Sequence, residues 1–478
     1  MKSRLFKPLI TTAVVLVVLA GVFFIVKMFA GEGEPEETPS AAEELMVTKE
    51  DVMQLRRLTF EMKEKKNFEV SVDATVTPRN YEVFPKFPGF NYNGTRITLL
   101  ANSFLQLRGI ELVEENVSEE GLAQFGLKEP SARATGEFKD GKSLTILVGN
   151  LLVTGGGYYA MVEGSGDVYV VNEDDAVTLL NGEPYLRDMA LMPVLDNDVS
   201  SKGMGMMVNR LTIKKPNGDV LDLRRRSEDE MRLYGLGTSA FELLSPVSYS
   251  TSEYMLSTLI FEPFLQIKGT GIVEDNPKDL SIYGLDNPAE VYFEDYNGVV
   301  YDYLIGEKDG NAYLMKRGVD SVISFSNTFL VFLNATDLDI LFKLLWTYNV
   351  DEVTKVEYDL NGQKHTLDVD SDSENSISNY WLNGEEISSD NGKRLYTRAV
   401  ELFIRDKLTV DYSGVPEYSV SIHLRNGDVH TLKLFKLNDR QYAAEIDGYA
   451  DYYVHINDIN KLVEGFDIVL GGGNIPAS

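Results

Sequence analysis

The chain has no cysteine in 478 residues, which excludes disulfides, thiolate metal sites, cysteine nucleophiles and lipid attachment through a cysteine. Histidine is nearly as scarce: there are four, His365, His423, His430 and His455, all in the final third. Trp346 and Trp381 are the only two indoles that could offer a stacking platform to a sugar. No G-x-x-x-x-G-K-[S/T] run occurs, so a phosphate-binding P-loop is absent. The glycines of VGNLLVTGGGYY (148–159) lack dinucleotide-binding spacing and read as a hairpin loop. There is no G-x-S-x-G elbow before a helix and no H-E-x-x-H. With 74 acidic residues, chance carboxylate pairs are everywhere, so no glycosidase-type pair can be nominated. No catalytic residue and no cofactor is expected.

Basic residues are also few, 45 Lys and Arg against 74 Asp and Glu, for a net charge of −29. Such a surface repels phosphate backbones, which argues against nucleic acid as a partner. An apolar fraction of 44% with only 16 prolines describes folded modules rather than a disordered chain. The length predicts two to four domains.

Only one long hydrophobic run is present. Leu9 to Val26 carries no charge over 18 residues, which nearly spans a hydrocarbon core of roughly 30 Å at about 1.5 Å per residue. Lys2, Arg4 and Lys7 precede it, and Lys27 is followed by an acidic, Pro-containing stretch. The positive-inside rule then predicts a cytoplasmic N-terminus (1–7), a transmembrane signal anchor (8–27), a flexible acidic stalk (28–45) and extracytoplasmic domains beyond it. The expected location is the cell membrane, single-pass. The rival reading, a cleaved signal peptide, has its best junction at Met28-Phe29-Ala30-Gly31, where Met stands in place of a small side chain.

The remainder repeats itself. FLQLRGIELVEENVSEEGLAQFGLKEP from Phe104 matches FLQIKGTGIVEDNPKDLSIYGLDNP from Phe264, and each ends in an aromatic-Gly-Leu-x-x-Pro corner. These corners are Phe125, Gly126, Leu127 and Pro130, and Tyr283, Gly284, Leu285 and Pro288. A diverged third copy places Tyr412, Gly414 and Pro416 at the same point. The expected modules are 46–198, 199–347 and 348–472, with a short tail at 473–478. Each begins with strands joined by Asn-Gly turns such as Asn217-Gly218 and Asn361-Gly362. An amphipathic helix follows, with Met255, Leu259 and Phe264 on one stripe in the second module. Its counterpart at 392–406 carries Leu395, Ala399, Leu402 and Phe403. After the corner comes an antiparallel meander. The expected fold class is α+β: mostly antiparallel twisted sheets, each with a packed helix. In the corner, Gly supplies a left-handed backbone, Leu turns inward, and Pro forbids further helix.

The corner, the strand that follows it to Val148-Gly149 or Ile305-Gly306, the Tyr-containing hairpin and the N-terminal anchor resemble the family called domain of unknown function 4340. That resemblance implies a membrane-anchored bacterial protein in tandem copies, in some cases associated with ABC-type transport systems. It supplies no catalytic residues.

Two metal candidates deserve scrutiny. A two-residue turn at Asn426-Gly427 would set His423 opposite His430, close enough for both imidazoles to reach one ion. Asp368, Asp370 and Asp372 alternate in LDVDSDSENS (367–376), but without the glycine of an EF-hand loop they read as a solvated charged face. The sequence therefore predicts a membrane-anchored extracytoplasmic accessory or interaction protein whose partner is a transporter or envelope complex. The alternatives are an extracytoplasmic ligand- or glycan-binding protein and a cell-envelope hydrolase. A pocket at a module boundary with converging Tyr and Asp would favour ligand binding, whereas a buried carboxylate or His pair in a cleft would favour hydrolysis.

Overall fold

The computed structural model describes residues 45–73, 80–192, 208–235 and 238–476. The predicted cytoplasmic segment and anchor, and all of the stalk except Leu45, lie outside the described residues. No helix among the described residues is long and apolar enough to cross a membrane.

Alternating side chains build the first sheet. In β1 (Leu55–Met62), Leu55, Leu58 and Phe60 are buried while Arg56 and Glu61 are exposed. From this central strand the chain steps outward through β2 (Phe68–Asp73) to β3 (Asn80–Phe84). Helix α1 (Gly94–Leu105), capped by Asn93, then covers the sheet with Ile97, Leu100 and Phe104. The chain next forms β4 (Gly109–Glu114) at the opposite edge and returns beside β1 as β5 (Ala132–Phe138). It then meanders outward through β6 (Ser143–Leu151), β7 (Gly157–Val162) and β8 (Val168–Asn172). The order is β3-β2-β1-β5-β6-β7-β8-β4, and every neighbouring pair is antiparallel.

Two nine-stranded sheets repeat this path with one extra strand at the first edge. Their central starting strands are Val208–Lys214 and Val353–Leu360. The α+β reading therefore holds as three antiparallel sheets with a few helices. The described residues fall into two compact units. One runs to Arg187 without Pro88–Phe90, and the other comprises Pro88–Phe90 and everything from Asp188 onward, so it contains both nine-stranded sheets.

The edge strand β4 exposes Ile110, Leu112 and Val113. Register breaks at Gly109/Glu111 and Leu112/Glu114 interrupt it, and the same two breaks recur at Gly269/Gly271 and Ile272/Glu274 in the second sheet. Bulges together with interleaved acids blunt an edge that would otherwise template pairing with another chain.

The helices depart from expectation in phase and extent. In the second module Leu256, Ile260, Phe261, Phe264 and Leu265 are the buried set, one residue out of step with Met255 and Leu259. A π-helical turn over Ser257–Phe261 lies just before Pro263, whose missing N–H interrupts the regular ladder. In the third module the helix is Ser389–Val400, capped by Ser388. Leu395 and Ala399 lie on its buried face, while Leu402 and Phe403 follow its end. The segment after Gly472 is anchored rather than loose: Ile475 is buried, its N–H donates to Asn391 Oδ1 at 3.0 Å, and Arg394 donates to its carbonyl.

Candidate functional site

The corners are built as a Gly-terminated 3-10 turn in the first two modules. Gly126 and Gly284 cap the turns Gly121–Phe125 and Ser281–Tyr283 at φ 71° and 66°. Leu127 packs with Phe125, Leu147 and Met161, and Leu285 packs with Tyr283, Met315 and Val322. Leu147 alternates with Ile146 and Val148 of the main core, so this small cluster covers the opposite face of the sheet. Pro288 stands immediately before the strand that returns to the centre, and Pro130 one residue further ahead of its own.

The third corner is built differently. Register places Phe435 where Gly149 and Gly306 stand, since Val148, Ile305 and Leu434 pair with Ala132, Ala289 and Tyr418. The corner carbonyl lies so close to Gly149 and Gly306 that a Cβ there would meet it at 2.3 and 2.5 Å. With Phe435 in that place no backbone can lie on the strand. Tyr412 instead packs tilted against Phe435, ring centroids 4.9 Å apart and planes at 52°. Gly414 (φ 109°) has nothing near it, and Pro416 precedes the strand Tyr418–Leu424.

The histidine pair does not form. Ile422 faces His430 and His423 faces Val429, because the turn holds three residues between Leu424 and Asp428 rather than two. A one-residue slip sends the two rings to opposite faces. His423 Nε2 lies 3.2 Å from Glu357 Oε2, and His430 Nδ1 lies 2.7 Å from Asp447 Oδ2. Asp368, Asp370 and Asp372 share one half-buried face of the strand Gln363–Asp372, where Asp372 accepts from Asn375 N at 3.0 Å. No group of three or more His, Asp or Glu among the described residues is placed to hold a metal ion.

A cleft of about 560 Å³ opens within the second unit, between its two sheets. Segments far apart in the chain line it: Arg226 to Ser250 from the second sheet, Leu345 to Tyr348 from the connection, and His430 to Asp451 from the third. The connection bonds to both sides. Gly235 N–H donates to Thr347 O at 2.5 Å and Asn349 N–H to Leu233 O at 2.8 Å, while Leu345 N–H donates to Leu402 O at 3.0 Å.

A column of flat groups crosses the cleft wall. The Arg226 guanidinium lies 3.8 Å from the Tyr234 ring centre, Tyr234 stacks on Tyr348 at 5.9 Å and 18°, and Tyr348 stacks on His430 at 5.0 Å and 19°. Arg226 is 5% exposed and donates from Nη2 to Ser250 Oγ at 3.1 Å. At the far end Asp447 occupies the first position of an Asp-Gly hairpin turn, with φ 51° followed by Gly448 at 92°. That conformation suits a type I′ turn, and it presents one carboxylate oxygen to His430 and the other to Thr431 N at 2.8 Å.

The polar groups of the lining divide into spent and unspent. Glu242 is held by Arg224 at 2.6 Å and by Ser248 Oγ at 2.6 Å. Asp451 has no ion-pair or side-chain hydrogen-bond partner among the described residues. Burial, and then the neighbouring Asp337, push its carboxyl above the usual range, against a smaller opposing pull from Lys407. Asp337 itself is covered by Lys407 Nζ at 2.8 Å and Tyr452 Oη at 3.2 Å. The Tyr249 and Tyr348 hydroxyls line the cleft without a hydrogen-bond partner among the described residues. Burial holds both protonated, with Asp451 adding to the effect on Tyr249 and Tyr234 to that on Tyr348. Trp346 is 3% exposed, and its indole N–H is buried without an acceptor among the described residues. Such a set binds through hydroxyl donors, a carboxylate acceptor and aromatic surface.

Sequence reasoning identified His430 and Trp346 by residue type but gave them no common location. Arg226, Tyr234, Tyr249, Tyr348 and Asp451 were missed. The one local signal was the Asp447-Gly448 pair inside EIDGYADYY (445–453).

Fold and cleft together define a protein of repeated antiparallel-sheet modules with an aromatic, acid-bearing recess. Residues 83–259 match the family described as Domain of unknown function (DUF4340), which supports the resemblance drawn from the repeated corners. The match begins in β3 of the first sheet and ends in the helical segment of the second, so it straddles the boundary between the two sheets. No curated protein and no solved structure matches the chain significantly.

Proposed function

We propose that this chain is a ligand-recognition protein, held at the outer face of a membrane by residues 8–27, that binds a polyhydroxylated ligand of saccharide type in the cleft of its second unit. The observation that carries this reading is the recess itself. Unpartnered hydroxyls of Tyr249 and Tyr348 and the free carboxylate of Asp451 converge on a space of about 560 Å³, within the range typical of small-molecule sites. Sugars present hydroxyls to such groups and C–H faces to aromatic rings. Tyr449, 76% exposed, supplies an open ring at the mouth. Association with a transport system would place such a receptor beside a permease, and this rests on the family resemblance.

The test is calorimetric titration of the full-length protein in mild detergent with neutral β-1,4-linked oligosaccharides. Binding by the wild type and its loss in Tyr249→Phe/Tyr348→Phe is expected. An absence of binding across neutral, basic and acidic oligosaccharides would overturn the reading. Protease protection in membrane vesicles of known orientation tests the topology, and digestion from the cytoplasmic side would overturn it.

A further inference from the structure

The cleft is asymmetric in charge, and that asymmetry narrows the ligand. Of the three carboxylates in its wall, Glu242 is neutralised by Arg224 and Asp447 is engaged by His430 and Thr431, while Asp451 is left alone. The cation in the wall, Arg226, is covered on one face by Tyr234 and hydrogen-bonded to Ser250, so little of it is offered to a ligand. A half-buried carboxylate without a counter-ion stabilises a cation brought to it, because the partner relieves a desolvation cost already incurred. The wider field acts in the same direction. A net charge of −29 draws cations toward the surface and repels anions. Tyrosine rings at the mouth add cation–π attraction.

We infer that the cleft selects saccharides carrying a protonated amine, with the carboxylate of Asp451 receiving the ammonium group. This deepens the ligand-binding reading above and rests on it.

The experiment titrates full-length protein in detergent with matched tetramers at pH about 6, where an amine with an ordinary α-amino pKa of about 7.7–8.0 is protonated. The tetramers are β-1,4-glucosamine, its N-acetylated form, cellotetraose and tetragalacturonate. Salt at ~0.15 M screens attraction to the general surface. The glucosamine tetramer is expected to bind at least tenfold more tightly than cellotetraose and its N-acetylated form, and tetragalacturonate more weakly than either. Asp451→Asn should erase the tenfold preference between the basic and neutral tetramers. That variant is expected to fold, since it removes a carboxylate whose ionisation burial opposes. Equal binding of the basic and neutral tetramers, or a preference that survives in Asp451→Asn, overturns the inference and leaves the ligand-binding reading standing. Failure of all four tetramers to bind overturns both. Tighter binding of tetralysine, with the same dependence on Asp451, would assign the cleft to a basic peptide and overturn the saccharide.

Discussion

The Tyr348 ring lies flat against the His430 imidazole, centroids 5.0 Å apart and planes within 19°, so a residue of the connecting segment is clamped onto the third sheet. The same ring stacks with Tyr234, from the loop joining two strands of the second sheet, at 5.9 Å and 18°. Tyr348 therefore has two separable parts, a ring that joins two sheets and a hydroxyl left for the cleft. Tyr348→Phe keeps the stack and should leave the thermal midpoint within about 2 °C, while saccharide affinity falls about five- to tenfold, the value of one hydrogen bond of about 1–1.5 kcal/mol. Tyr348→Ala removes the ring and should cost about 2–3 kcal/mol of stability. Calorimetry and urea denaturation of the two variants separate the roles; equal stability losses would show that the hydroxyl is structural.

Glu230 offers a pH test. The Arg224 guanidinium, and then the Ser227 backbone N–H, hold its carboxyl down to about 2. An unfolded glutamate titrates near ~4.3, so the folded state gains stability that is fully present above that pH. The gain disappears as pH falls through about 2. The pair is largely exposed, with both side chains 39% accessible, so solvent screening limits the contribution to about 0.5–1 kcal/mol. Glu230→Gln should be less stable than wild type by that amount at pH 7, and the gap should close on acidification. A gap that stays constant from pH 7 to 2 would show that the charge contributes nothing.

Tyr358 is buried within the third sheet, packed on Phe466 with ring centres 4.6 Å apart, and its hydroxyl has no hydrogen-bond partner among the described residues. Burying an unsatisfied polar group costs about 1–3 kcal/mol. Tyr358→Phe preserves the packed shape and removes that cost, so it should be neutral or stabilising by up to about 1 kcal/mol in urea denaturation. A loss above about 1 kcal/mol would mean that the hydroxyl makes a bond in solution.

The sheets were legible because their signals are local: Asn-Gly pairs and repeated corners. One of the two named Asn-Gly turns, Asn361-Gly362, has both residues at positive φ, 55° and 88°. At the other, Gly218 alone is positive, at 92°, because the loop holds three residues. The same extra residue at Asn426-Gly427 separates His423 from His430. Loop length sets register, and an Asn-Gly dipeptide does not specify loop length. The cleft was illegible for a different reason. Arg226, Tyr348 and Asp451 are about a hundred residues apart in sequence and meet only because two sheets dock through the 341–349 connection. No periodicity within either sheet records that docking.

The contrast between Gly306 and Phe435 yields the sharpest stability prediction. Both stand at the same register position in their sheets, one residue beyond the partner of Ala289 or Tyr418. A Cβ on Gly306 would lie 2.5 Å from Tyr283 O and 2.6 Å from Gly284 O. These are backbone atoms at a tight turn, fixed by the left-handed Gly284, so they cannot swing aside as a side-chain tip would. Gly306→Ala must therefore push the corner off the strand, detaching Tyr283 and Leu285 from Met315 and Val322. The expected cost is about 2–3 kcal/mol, the scale of overpacking in a close-packed interior. Phe435→Ala in the third module removes a ring that already excludes such a corner, and its main effect should be to free Tyr412. Chemical denaturation, read together with proteolysis near Ser281–Asn287, distinguishes the two. If Gly306→Ala keeps wild-type stability and protection there, the corner is not held by backbone contact with this strand.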